Sequence, residues 1–347
     1  MAGRRILVTG AARSTGRRVL AALADDPSVD GVVAVDDAPA LELSGAKVEL
    51  LQVNLGSPAL VRVMRDTGVD TCVHLGVAAE PRAMGGRAAM KEHNVLGTMQ
   101  LLAAAYHAPE LRRLVLKSTT AVYGSAPGDP ALWTESMEPG TARHGFARDA
   151  MQVEDYVRSF ERRRPDVTVT ILRMANQVGP TVDNPLTRYF TLPVCPTVLG
   201  FDPRLQFLHE QDASAALLRV LLGPAAHGTY NLAGDGVVLL SQAIRIAGKL
   251  PLPIPEPLVP SATELLHRVV DVSPEQVGFL QFGRVADSTA ARVELGFVPA
   301  HSSLEAFEDF AATRLSGPLT EGRVARLEHD LLGALRRLAA WAGEVRT

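Results

Sequence analysis

The residues with the clearest chemical potential lie near the start of the chain, in ILVTGAARSTGRRVL. An apolar run ends at Gly10, Gly16 follows, and a helical pattern continues from there. A glycine at position 10 permits a sharp turn. One at position 16 lets helix and strand approach closely, and the free N–H groups of a helix start attract a phosphate. The middle glycine of the usual three is replaced by Arg13 or Ser14, depending on how the spacing is read. Asp36 ends the next apolar run, twenty residues after Gly16, where a carboxylate holds ribose hydroxyls. Asp36 repels a 2′-phosphate and favours NAD, whereas Arg13 could pair with that phosphate and favour NADP. Asp36 occupies the decisive ribose position, so NAD is the expected cofactor and NADP the alternative.

Other chemistry finds little support. Cys72 and Cys195 lie in apolar settings without metal-ligand spacing, and the nine histidines show no such spacing either, so no metal is expected. No nucleophilic-serine elbow is present. A net charge of −3 gives no reason to expect nucleic acid as a partner. Only four of the 35 basic residues are lysines, at 47, 91, 117 and 249. The opening apolar run is too short for a signal-peptide core, and no stretch is long enough to span a membrane. A cytoplasmic location is the expectation.

The elements that must position these residues alternate. Short β-rich runs (RRILVTG, VDGVVAVDD, AKVELLQVNL, VDTCVHLGVA, LRRLVLKSTTAVYG, DVTVTILRMANQVGP) are separated by helical patterns, which predicts an α/β fold with a Rossmann-type, doubly wound parallel sheet. Beyond residue 181 proline and glycine become frequent and the elements shorten. The expected organisation is a dinucleotide-binding domain over 1–180, rejoined by a strand and helix in about 205–235. A smaller, interleaved substrate-side domain takes 181–204 and 236–316, and a C-terminal amphipathic helix takes 317–347. Val324, Leu327, Leu331, Leu335, Leu338, Ala342 and Val345 form the apolar stripe of that tail. It is expected to pack on its own domain or on a dimer mate; peripheral membrane contact through its flanking arginines is the alternative.

In order along the chain, VTGAARSTG, VDTCVHLGVAAE, NVLGTMQLL, KSTTAVYGS, ILRMANQVGP, LQFLHEQDASAAL and GTYNLAGDG resemble the extended short-chain dehydrogenase/reductase superfamily, in its NAD-dependent epimerase/dehydratase branch. The resemblance covers roughly residues 4–312. It implies cofactor contacts from Gly10, Arg13, Ser14, Thr15, Gly16 and Asp36, with Asn54 and Leu55 around the adenine. Leu75, Gly76 and Val77 are expected under the ribose and pyrophosphate, Asn94 as the structural asparagine of the site, and Met174 and Ala175 near the nicotinamide. It further implies that Thr119 bonds a substrate hydroxyl or carbonyl and that Tyr123 and Asn176 line the substrate site. A homodimer through the helices after NVLGT and HGFARD is implied as well.

Members of that family work with a Tyr-x-x-x-Lys pair on one helix face, the lysine lowering the tyrosine pKa and gripping the nicotinamide ribose. No tyrosine here has a lysine four residues on. Counting back from Arg173, and taking Glu154 as the family's acidic residue, places Phe146 at the tyrosine position and Ala150 at the lysine position. A second register offers His144 and Arg148, and histidine can act as acid or base near neutrality. The arginine that binds the substrate diphosphate in sugar-nucleotide members is also missing; its place is the neighbourhood of Val277, with Arg204 and Arg284 as substitutes. The apolar YFTLPVCPTVLGF fits core packing better than a pocket wall. Two readings follow. One is a redox protein of the epimerase, dehydratase or reductase kind, acting on a small hydroxyl- or carbonyl-bearing substrate. The other is a catalytically silent dinucleotide-binding protein serving as redox sensor, scaffold or regulatory partner.

Overall fold

The structure, a computed structural model, describes residues 3–37, 47–138, 145–270 and 273–315. His144 and the segment 317–347, for which a helix is expected, lie outside the described residues.

Seven parallel strands form the central sheet: β1 (Arg4–Thr9), β2 (Val29–Asp36), β3 (Val48–Gln52), β4 (Thr71–His74), β5 (Arg113–Thr119), β6 (Thr168–Met174) and β7 (Gly228–Leu232). Their order across the sheet is β7-β6-β5-β4-β1-β2-β3. Helices cover both faces, so the strands read as nearly continuous apolar runs. On one face α1 (Ser14–Asp25) and a later helix, Glu210–Leu222, bury Val19, Leu20, Ala213 and Leu217 against Ile6, Val8 and Val115. The opposite face receives α2 (Ala59–Asp66), α3 (Thr98–Tyr106) and α4 (Gly145–Arg163). There Leu60, Leu101, Val153, Val157 and Phe160 pack on Leu7, Leu114 and Leu116. The alternation along a strand thus decides which layer each side chain enters.

Sheet order reverses at β1, with β2 on one side and β4 on the other. A crevice opens at the carboxyl ends of the strands at such a switch point. Over it sits a third core cluster containing Tyr189, Phe190, Cys195, Phe207, Phe307 and Phe310. It includes α5 (Pro274–Phe282), the short helix Pro185–Thr191 and a parallel pair, Val194–Val198 with Leu250–Ile254. The apolar YFTLPVC stretch therefore packs the core of this upper part, as its composition suggests.

The chain returns to the sheet within 205–235, through the later of two strands. Phe207–His209 pairs with Asn176–Val178 in a separate two-stranded unit, and it is β7 that joins the main sheet beside β6. Gly179 in the left-handed region and Pro180 end that pair before it can extend. No helix among the described residues is long and apolar enough to cross a membrane.

Candidate functional site

The turn from β1 into α1 is built on contacts that admit no side chain. Gly10 has φ +72°, and a Cβ there would lie 2.7 Å from the Gly76 backbone. At Gly16 a Cβ would lie 2.3 Å from the Gly10 carbonyl oxygen. The start of α1 carries no acidic residue in its first turn and no side-chain cap, so its leading N–H groups remain available to an anion. Asp36 accepts a hydrogen bond from the Ala12 N–H at 2.8 Å, tying the end of β2 to the glycine turn. Beneath, the buried His74 bridges Thr9 Oγ1 at 2.6 Å and Thr98 Oγ1 at 3.0 Å. Burial pushes its imidazole down to about 3, so it is a neutral strut for the Leu75–Val77 exit from β4.

A cavity of about 600 Å³ runs from this turn across the strand ends to α4 and α5. Its walls include Arg13, Ser14, Thr15, Gly16, Leu75, Val77, Thr119, Phe146, Ala150, Met174, Ala175, Asn176 and Arg284. The structure thus gathers most of the residues singled out in the sequence, and it brings Phe146 and Ala150 to one wall. Thr119 Oγ1 accepts from the Ala121 N–H at 3.1 Å, leaving its proton to donate. Arg284 donates to the Gly124 carbonyl at 3.0 Å and to Ser125 Oγ at 3.2 Å, and burial lowers its guanidinium to about 10, still cationic at neutral pH.

Other residues singled out in the sequence lie outside the cavity walls. Tyr123 is wholly buried; its ring stacks on Trp133 and its hydroxyl donates to Asn231 Oδ1 at 2.8 Å while accepting from Arg173, so it supports the wall from behind. Arg204 is exposed and donates to the Ala131 carbonyl. Asn54 closes a turn by accepting from the Gly56 N–H, and Leu55 is buried against Gly97. Asn94 is buried as well and bonds both the N–H and the carbonyl of Ala78, which makes it a brace for the loop after β4.

Lys117 and Glu275 are among the cavity residues not singled out. Lys117 projects from β5, and Glu275 from the first turn of α5. Glu275 stands over the start of α4: a Cβ on Gly145 would lie 2.1 Å from its Oε1, and that oxygen is buried without a hydrogen-bond partner. Burial raises its carboxyl to about 7. The signals were a scarce lysine inside KSTTAVYGS and the Ser273–Gln276 capping box in SPEQ, which fixes where α5 begins.

Away from the cavity, His209, Asp212 and His301 converge. Their polar atoms are occupied: His209 by the Gln211 N–H and Asp309, Asp212 by the Ala300 and His301 N–H groups and His301 Nδ1. HEQD is a latch between the helix Glu210–Leu222 and the 300–309 segment. Cys72 and Cys195 are buried free thiols, each raised to about 12 by burial.

A doubly wound sheet with a glycine turn at its switch point defines a Rossmann-type protein. The chain matches the model of the NAD dependent epimerase/dehydratase family over residues 6–233, and it belongs to that family. The uncharacterized protein Rv0501 of Mycobacterium tuberculosis is 42% identical over 350 aligned residues, covering 97% of this chain and 93% of that one. The dTDP-glucose 4,6-dehydratase of Streptomyces niveus is 30% identical over 243 residues, 67% of this chain and 66% of the other. Among solved structures, UDP-glucose 4-epimerase of Thermotoga maritima superposes with a TM-score of 0.69 at 19% identity, covering 89% of this chain and 98% of that one. A dTDP-glucose 4,6-dehydratase of Bacillus anthracis in complex with NAD gives 0.67 at 17% identity, covering 90% and 96%.

Proposed function

We propose that the protein binds an NAD-type dinucleotide and acts as an atypical epimerase, dehydratase or reductase on a small hydroxyl- or carbonyl-bearing substrate. The observation carrying this reading is the continuity of the cavity: one space joins the uncapped start of α1 to Thr119, Asn176 and Glu275. Ser14, Thr15 and Gly16 fit a diphosphate because they open a helix without a side-chain cap, and Gly10 and Gly16 allow the backbone packing that holds this turn in place. Asp36 fits an unphosphorylated adenosine ribose, which favours NAD over NADP.

When bound, the nicotinamide supplies or takes up a hydride. Thr119 donates its hydroxyl proton to the substrate oxygen. Glu275, beside Phe146, holds or releases a proton near neutrality, the task a tyrosine performs elsewhere in the family. Asn176 and Arg284 orient the substrate. Leu96, just before α3, and Met99, in its first turn, are exposed and support a homodimer through that helix.

A catalytically silent dinucleotide-binding protein is the second reading, favoured by Phe146 and Ala150 on the cavity wall. Calorimetric titration with NAD, NADH, NADP and NADPH, after removal of any co-purified nucleotide, is the test. Tighter binding of NAD and NADH is expected, followed by substrate-dependent reduction or oxidation of the bound nucleotide that Thr119→Ala and Glu275→Gln abolish. Binding without turnover on any hydroxyl or carbonyl substrate leaves the silent protein; no binding of the four overturns both.

A further inference from the structure

Ala150 removes a positive charge from the cavity wall, and Lys117 brings one in from another direction. Along β5, Leu116 packs toward α4 and Ser118 Oγ donates to Glu154 of the same helix. Lys117 therefore points to the opposite face, the α1 side, as Val115 does. It lies one residue past the last β4–β5 pair, His74 with Leu116, at the carboxyl edge of the sheet beside Leu75. From there its side chain enters the cavity. Among the described residues its ammonium has no hydrogen-bond or ion-pair partner, in contrast to Lys47, which donates to the Asp26 carbonyl.

A desolvated ammonium without an anion is costly and persists where a ligand supplies the anion. The charged side chain acting on Lys117 is Arg13, in the glycine turn; burial first and Arg13 second lower the lysine to about 8. Thr15 and Gln177, joined by a 3.1 Å hydrogen bond, line the same cavity and are neutral. Arg13, Lys117 and an uncapped helix start thus border one space. Glu80, Asp183 and Glu275 also line it, and Glu80 acts on Arg13, but no carboxylate acts on the lysine.

The geometry points to Lys117 as a phosphate-binding residue of the dinucleotide site, pairing with the diphosphate together with Arg13 and the α1 N–H groups. The inference rests on the dinucleotide reading above and places a cation on β5, whereas the helix position Ala150 carries none.

The test is calorimetric titration of wild type, Lys117→Met and Lys117→Arg with NAD and with ADP-ribose, alongside thermal unfolding of each protein without nucleotide. Lys117→Met is expected to weaken both ligands about tenfold or more, and Lys117→Arg to recover most of the loss. Without nucleotide, the methionine variant is expected to unfold at the same temperature as wild type or higher, because an unpaired cation has been removed. Wild-type affinity should fall as pH rises past about 8, where the free lysine loses its proton, and Lys117→Met should lack that fall. Equal NAD binding by wild type and Lys117→Met would overturn the inference alone. A loss for NAD but not for ADP-ribose would place the lysine at the nicotinamide ribose and overturn the phosphate assignment. A lower unfolding temperature of the nucleotide-free methionine variant would make the lysine structural. No binding by wild type would overturn the dinucleotide reading along with it.

Discussion

Glu154 receives Arg173 in a two-point ion pair, Nη2 to Oε2 at 2.6 Å and Nε to Oε1 at 3.0 Å, with both side chains almost wholly buried. Glu154 stands one helical turn beyond Ala150 on α4, and Arg173 directly precedes Met174. The pair locks α4 to the end of β6, and two walls of the cavity meet at a fixed angle because of it. The remaining guanidinium edge donates to Tyr123 Oη at 2.8 Å, which explains why that tyrosine is a support and not a substrate contact.

Removing one partner leaves a buried charge uncompensated. Glu154→Ala is expected to cost about 3–5 kcal/mol in chemical denaturation, whereas Glu154→Leu with Arg173→Met should cost far less than the two single changes together. A double-mutant cycle from urea unfolding measures the coupling. Additive single costs would mean that the pair does not act as a unit.

The glycine turn permits a sharper comparison. Gly16→Ala forces a methyl group to 2.3 Å from the Gly10 carbonyl, a backbone atom that cannot rotate away. It should lower stability and abolish nucleotide binding. Gly31→Ala is the control, since nothing lies within 4 Å of its Cβ position and its φ is ordinary. Circular dichroism melts of the two variants, paired with titrations, decide the matter.

What the sequence made legible follows from how local each feature is. The glycine turn, Asp36 and the strand–helix alternation are encoded in contiguous residues, where side-chain period and backbone freedom suffice. Phe146 and Ala150 were found by counting from Arg173 and Glu154, residues that turn out to touch. Glu275 could not be found this way. It enters the cavity from α5, more than a hundred residues along the chain from the α4 turn it covers, and only the packing of the upper part brings the two together. Lys117 stood inside a recognised motif, but an apolar β run does not reveal which member's strand end opens into a cavity. Tyr123 and Arg204 show the converse. Polar residues near a motif look like ligand contacts until Asn231 and Trp133, or the open solvent, are seen beside them.

Glu275 makes a prediction about pH and stability. Its folded carboxyl is raised to about 7 above an ordinary value of 4.5, so the folded state holds the proton more tightly than the unfolded chain. Below the ordinary value both states are protonated and the burial penalty is absent; as pH rises through about 7 the buried carboxylate must form and that advantage is lost. Glu275→Gln should therefore unfold near the wild-type temperature at pH 4 and above it at pH 8. Melting curves across this range check it, and a variant less stable at pH 8 would show that the carboxylate is needed as a cap on α4.

The choice between NAD and NADP turns on Asp36. Its carboxylate accepts from the Ala12 N–H at the end of β2, and under the proposed function it meets the adenosine ribose. Asp36→Ala removes a ribose acceptor, which weakens NAD, and removes a charge that repels a 2′-phosphate, which strengthens NADP in relative terms. Arg13, which lines the cavity, is then the cation able to reach from the diphosphate to a 2′-phosphate. The ratio of NAD to NADP affinity should fall by about tenfold or more in Asp36→Ala, the size expected for losing one charged hydrogen bond and gaining one ion pair. The Asp36→Ala, Arg13→Ala double variant should bind both nucleotides weakly and without preference. Parallel calorimetric titrations of the four proteins measure the ratio, the fourth being Arg13→Ala alone. A wild type that already prefers NADP would assign the decisive contact to Arg13 in place of Asp36.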